Sequence, residues 1–155
     1  MEYKIVWLLT LHFVADFLLQ SREMGKKKSS EPHWLFAHLL IQWLVVGLGA
    51  CLVMPAGMVI WFTTFNALIH GVIDWNIWNF YKLSVKYRLL KIKPEDFNYT
   101  TEAEWHVATT GSQADYLAMA GRNWKYWDDH LFYTTIGFDQ LLHSITIVLL
   151  ARLFI

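Results

Sequence analysis

Four stretches of this chain are long and apolar enough to cross a lipid bilayer: Met1–Leu19, Leu35–Met54, Met58–Phe80 and Ile136–Ile155. A hydrocarbon core about 30 Å thick takes about 20 helical residues. A soluble helical bundle would need polar faces at helical spacing. In Leu39–Val53 the only strongly polar residue is Gln42, so that helix would be apolar all round. The pattern therefore predicts an all-α, integral membrane four-helix bundle, a single domain over residues 1–155. The N-terminal run lacks a small-residue cleavage site and is interrupted by a carboxylate, so it does not read as a cleavable signal peptide.

The basic residues orient the bundle. The first connection, Gln20–His33, holds Arg22, Lys26, Lys27 and Lys28, and the long segment Tyr81–Thr135 holds seven more. Only Lys4 and Arg152 fall on the other side. The positive-inside rule then puts both basic connections in the cytoplasm and both termini outside, in a multi-pass protein of the inner (cytoplasmic) membrane. Pro55–Ala56–Gly57 is a tight turn, and Trp7, Trp34, Trp61, Trp75 and Trp78 sit near block ends, where an interfacial belt belongs. The lipid bilayer is the first expected partner. A formal net charge of zero gives no support to nucleic-acid binding. The lone Cys51 excludes an intrachain disulfide framework or a thiolate metal cluster.

Residues 81–135 read as a cytoplasmic, interfacial insertion between helices 3 and 4. Tyr81–Ile92 continues the third helix until Lys93–Pro94 stops it. Asp96–Gly111 is loop-like and Gln113–Ala120 is a weak helix candidate. Asn123–Tyr133 mixes aromatic and charged residues in the manner of an amphipathic helix at the headgroups, or of an ordered connecting loop.

The chemistry lies in the polar residues inside the apolar blocks. An Asp at the centre of a membrane helix costs about 2.5–3.5 kcal/mol, so three would cost roughly 7–10 kcal/mol unless offset. The three here each have a histidine at i, i+4, on the same helix face: His12 with Asp16, His70 with Asp74, and Asp139 with His143. The second block adds His38. With the predicted directions of the helices, all seven fall at a similar depth towards the cytoplasmic leaflet, where a bundle would let them converge.

Four imidazoles and three carboxylates suit one or two divalent metal ions, zinc first, with manganese or iron as further options. A mixed set fits a two-metal hydrolytic centre with ions roughly 3.5–4 Å apart. Two such ions against three carboxylates leave one positive charge for hydroxide or a phosphate oxygen. The alternatives are a structural Asp–His hydrogen-bond network and a proton or ion pathway. His33, His106 and His130 read as ordinary loop or interface histidines, and Asp128, Asp129 and His130 form an acidic cluster that could cover the site. Gln20 lies one turn beyond Asp16, Gln140 follows Asp139, and Asn66 precedes His70 by four, in a supporting position. Lys26, Lys27 and Lys28 serve as a topology signal, or meet lipid headgroups or a substrate phosphate. Gly47 and Gly49 would permit close helix contact.

At these residues the chain resembles a known membrane family. His12-Phe-Val-Ala-Asp16-Phe-Leu-Leu-Gln20, followed by Met24 and Lys28, resembles the opening motif of a bacterial and phage family catalogued as domain of unknown function 3307. The likeness continues at His38, at His70-Gly-Val-Ile-Asp74 and at Asp139-Gln140-Leu-Leu-His143, and covers the four apolar blocks. The long Lys82–Thr135 segment departs from compact members. The family is distantly similar to predicted membrane-bound metal-dependent hydrolases. The resemblance thus implies a site on His12, Asp16, Gln20, Lys28, His38, His70, Asp74, Asp139, Gln140 and His143, without a substrate.

The leading expectation is a membrane-embedded metal-dependent hydrolase. His12, Asp16, His38, His70, Asp74, Asp139 and His143 would be the metal ligands, and Asp16 or Asp74 would double as general base. Gln20, Lys28 and Gln140 would contact a phosphorylated or lipid-like substrate at the inner leaflet, with the aromatic insertion as a lid. The competing expectation is a non-enzymatic membrane module: an ion channel, a metal or proton pathway, or a phage protein acting on the host membrane. Homo-oligomerisation would matter there, because four helices barely enclose a pore. A third is a bundle in which His and Asp simply pair across helices.

Overall fold

The computed structural model describes residues 2–89 and 130–155, and all regular structure among them is helical. Five helices follow in chain order: α1 (Glu2–Phe13), α2 (Arg22–Lys27), α3 (Pro32–Ala50), α4 (Ala56–Leu89) and α5 (His130–Phe154). A π-helical turn, Val14–Leu18, extends α1, and the Leu19 amide closes it by donating to the Val14 carbonyl at 3.1 Å. Such turns widen a helix locally and often mark functional positions. This one carries Asp16, which is 3% exposed.

Local chemistry explains the breaks. Ser21 caps α2, its Oγ accepting from the Met24 amide at 3.2 Å. Glu31, in extended backbone, precedes Pro32 at the start of α3, where a missing amide proton costs nothing. After α3 the chain turns, and α4 begins at Ala56. The third apolar block does continue as one helix, through Leu89. Residues 90–129 of the expected insertion, including Asp128 and Asp129, lie outside the described residues, and residues 130–135, expected in the insertion, instead open α5.

Among the described residues, three helical segments are long and apolar enough to cross a membrane: Pro32–Ala50, Ala56–Val85 and Leu131–Phe154. The first apolar block falls short of the four expected. Its α-helix has 12 residues and the π turn adds five before Gln20 and Ser21 end the run.

The chain divides into two compact units, Met1–Asn79 with Gly137–Ile155, and Phe80–Ile136. In the second, the described residues are the end of α4 and the start of α5, where the Tyr81 and Phe132 rings lie 6.1 Å apart.

The first unit is layered by a repeated step of four. Leu8, His12 and Asp16 are buried on the first helix, and His38, Gln42, Val46 and Ala50 on α3. Phe62, Asn66, His70 and Asp74 are buried on α4, and Asp139, His143, Ile147 and Ala151 on α5. Each stripe is polar at one end and apolar at the other. Leu8, Val46, Ala50, Phe62, Ile147 and Ala151 join one apolar core with Met54 and Leu150. Close approach seats α1 on α3: Trp7 Nε1 donates to the Gly49 carbonyl at 3.2 Å, and a Cβ on Gly49 would fall 1.8 Å from Leu11 Cδ1. The outward faces are leucine-rich, with Leu48 71% and Leu153 78% exposed. Such surfaces are a liability in water and cost nothing in lipid.

Candidate metal centre

The polar ends of the four stripes meet within the first unit. His12, Asp16, His38, His70, Asp74, Asp139 and His143 are each 3% exposed or less. They form three overlapping groups whose ligand atoms lie within 4.8 Å of one another: His12, His70 and His143; Asp16, His38, His70 and Asp74; Asp74, Asp139 and His143. His70, Asp74 and His143 each belong to two groups and so join the three.

Asp74 is the most surrounded. Its Oδ2 lies 3.2 Å from His38 Nε2 and 3.1 Å from His70 Nε2, and its Oδ1 lies 3.7 Å from His143 Nε2. Asp16 Oδ1 lies 3.1 Å from His38 Nε2. Asp139 Oδ1 lies 3.5 Å from His143 Nε2. The His38 and His70 Nε2 atoms face each other at 2.9 Å, so one proton must serve that contact. A single nitrogen of His38 thus faces two carboxylates and another imidazole. Acceptors outnumber the protons that neutral imidazoles can supply.

Lys28 supplies part of the missing positive charge. It is 4% exposed, unlike its neighbour Lys26, which is on the surface. Its Nζ lies 2.8 Å from Asp74 Oδ1, 3.6 Å from Asp16 Oδ1 and 3.4 Å from His38 Nε2. Burial pulls its pKa down, but the charges of Asp74 and Asp16 outweigh burial and hold it above the ordinary lysine value. Lys27 behaves as a surface residue, near Glu23 at 3.5 Å and Glu31 at 3.8 Å.

The glutamines play different parts. Gln140 Nε2 donates to Asp16 Oδ2 at 2.6 Å and reaches Asp139 Oδ2 at 3.4 Å, so it ties two carboxylates from separate helices. Gln20 is half-buried beside Gly25, 3.0 Å from where a Cβ on that glycine would lie. Gln42 is fully buried one turn beyond His38 and interacts with His12. Asn66 Nδ2 is buried without a hydrogen bond. The sequence signal for Gln42 is its position at i+4 from His38, inside an otherwise apolar helix.

A divalent cation fits this donor set. His12 is buried against His70 and His143 at ring-centroid distances of 5.2 and 5.1 Å, and buried carboxylate oxygens of Asp16, Asp74 and Asp139 lack a hydrogen-bond donor of their own. Three imidazoles with carboxylates beside them are an ordinary ligand environment for zinc or iron.

Fold and site together define a class: a helical protein with spans of membrane length and buried His/Asp groups able to hold a metal ion. The chain belongs to the DUF3307 family, proteins of unknown function, whose model matches residues 5–155. No curated protein and no solved structure matches it.

Proposed function

We propose that this chain is a membrane-embedded metal-dependent hydrolase, a four-helix bundle whose site faces the inner leaflet. One observation carries the reading: seven histidines and aspartates from four helical segments converge in one buried cluster. The ion would be held by imidazoles of His12, His70 and His143 with carboxylates of Asp74 and Asp139, and zinc is the first candidate. When bound, it supplies a Lewis acid and an activated water.

The protein's own residues prepare the rest. Gln140 orients the Asp16 carboxylate through its 2.6 Å hydrogen bond. That leaves Asp16 placed to accept a proton as general base, with Asp74 as the other carboxylate able to do so. The stripes turn apolar at Leu8, Val46, Phe62 and Ile147, which closes the far side of the site. A substrate would therefore arrive from the α2 side. If the basic connection lies in the cytoplasm, that is the inner headgroup region, which favours a phosphorylated or lipid-like substrate. The same apolar layer weighs against a continuous ion or proton pathway, because the buried polar column stops halfway along the helices.

Elemental analysis of detergent-purified protein never exposed to chelator tests the reading. Wild type should retain zinc, manganese, iron or nickel near stoichiometric amounts, and His70→Ala should lose most of it. Near-zero metal in the wild type would sink the proposal. A buried Asp–Lys–His ion network, which the Lys28 contacts favour as the second reading, would then remain.

A further inference from the structure

We propose that the Lys28 ammonium is the resident second cation of this site, so that it takes one divalent ion rather than two. The inference deepens the metal reading and rests on it. Of the three ligand groups, the one formed by Asp16, His38, His70 and Asp74 already contains a cation. Lys28 Nζ lies within 3.6 Å of one donor atom on each of Asp16, His38 and Asp74. A metal ion drawn to those atoms would sit against the ammonium. Of the other two groups, that of Asp74, Asp139 and His143 shares Asp74 Oδ1 with Lys28 at 2.8 Å, whereas His12, His70 and His143 have no lysine contact among the described residues, so the single ion belongs on the three imidazoles.

Charge favours the same division. Asp16, Asp74 and Asp139 contribute three negative charges, and Lys28 with one divalent ion contributes three positive charges. A second divalent ion would leave a surplus of two positive charges among groups no more than 4% exposed, where uncompensated charge is costly. Lys28 can reach inward because Ser21 caps α2 and the Lys28 amide donates to the Met24 carbonyl at 2.9 Å, which fixes the last turn. On this assignment its role is electrostatic positioning. It holds Asp16 Oδ1 and Asp74 Oδ1, and leaves Asp74 Oδ2 facing His70 Nε2 at 3.1 Å.

The test is zinc titration of detergent-purified full-length protein, with bound metal counted after desalting. Wild type should bind one equivalent. Lys28→Met removes the repelling charge and should bind that ion at least about tenfold tighter, whereas Lys28→Arg should stay near wild type. Should Lys28→Met fail to accumulate, the pair Lys28→Met with Asp16→Asn restores the balance of charge. That pair should fold, bind one equivalent and, without metal, melt above Lys28→Met alone. Two equivalents in the wild type, no tightening in Lys28→Met, or no rescue by Asp16→Asn would overturn the assignment while leaving the metal reading standing. No metal in any variant would overturn both.

Discussion

At the scale of single residues, the telling partner of the site is an amide that binds no metal. Gln140 sits on α5 beside Asp139 yet reaches Asp16 on the π turn, so it couples the first helix to the last. Groups that orient metal ligands commonly change metal affinity 10- to 100-fold when lost. Gln140→Leu should therefore weaken zinc binding by about 10- to 100-fold and leave one equivalent at saturation, as read by competition with a chromogenic chelator. Unchanged affinity would mean that the 3.4 Å contact of Gln140 to Asp139 Oδ2 does not orient that ligand. The seven histidines and aspartates were legible in the sequence because ionisable side chains in apolar helices are costly, and their i, i+4 pairing declared a shared face. Lys28 is singled out by the family resemblance as a substrate contact, whereas its own chemistry shows it only as one of three consecutive lysines. Nothing in its type separates it from Lys26 and Lys27, and only the phase of the short helix α2 turns it inward.

At the scale of elements, the step of four did more than pair ligands. Continued along each helix it reaches Leu8, Val46 and Ala50, Phe62, and Ile147 and Ala151, so one stripe carries both the polar site and the apolar core beneath it. Only the i, i+4 His/Asp pairs of that stripe are legible in the sequence; its continuation into the core comes from the structure. The π turn is not legible there either, because Val14–Leu18 differs from ordinary helix in hydrogen-bond register rather than in composition. The fit of α1 on α3 was only hinted at by Gly47 and Gly49. It depends on where Leu11 and Trp7 land: a Cβ on Gly49 would meet Leu11 Cδ1 at 1.8 Å and Trp7 Nε1 at 3.3 Å. Gly49→Ala should destabilise the protein by about 1–3 kcal/mol through overpacking, lowering the melting temperature in detergent by several degrees. Gly57→Ala, where a Cβ meets nothing within 4 Å, should melt near wild type. Equal behaviour of the two variants would contradict the close packing of α1 on α3.

For the whole molecule, the decisive property is which way the spans run. Lys26 is exposed on α2, at the polar end of the buried stripes, and Cys51 is exposed just past α3, at their apolar end. The excess of Lys and Arg around α2 predicts a cytoplasmic location there, so the Pro55 turn should face outward. An ionic site at the cytoplasmic headgroups and an apolar core in the outer half follow from the same orientation. Cys51 is the chain's only cysteine and therefore a ready-made reporter. A membrane-impermeant maleimide should label Cys51 in cells with a permeabilised outer membrane and an intact inner membrane. In a Cys51→Ser background, Lys26→Cys should label only after the inner membrane is opened. The reverse pattern would place the His/Asp cluster at the outer leaflet, which would remove the cytoplasmic phosphorylated substrates from consideration while leaving the metal chemistry intact. Labelling of both positions in cells with an intact inner membrane would mean that α3 does not cross the bilayer. The leucine-rich outer faces would then have to be covered by something other than lipid.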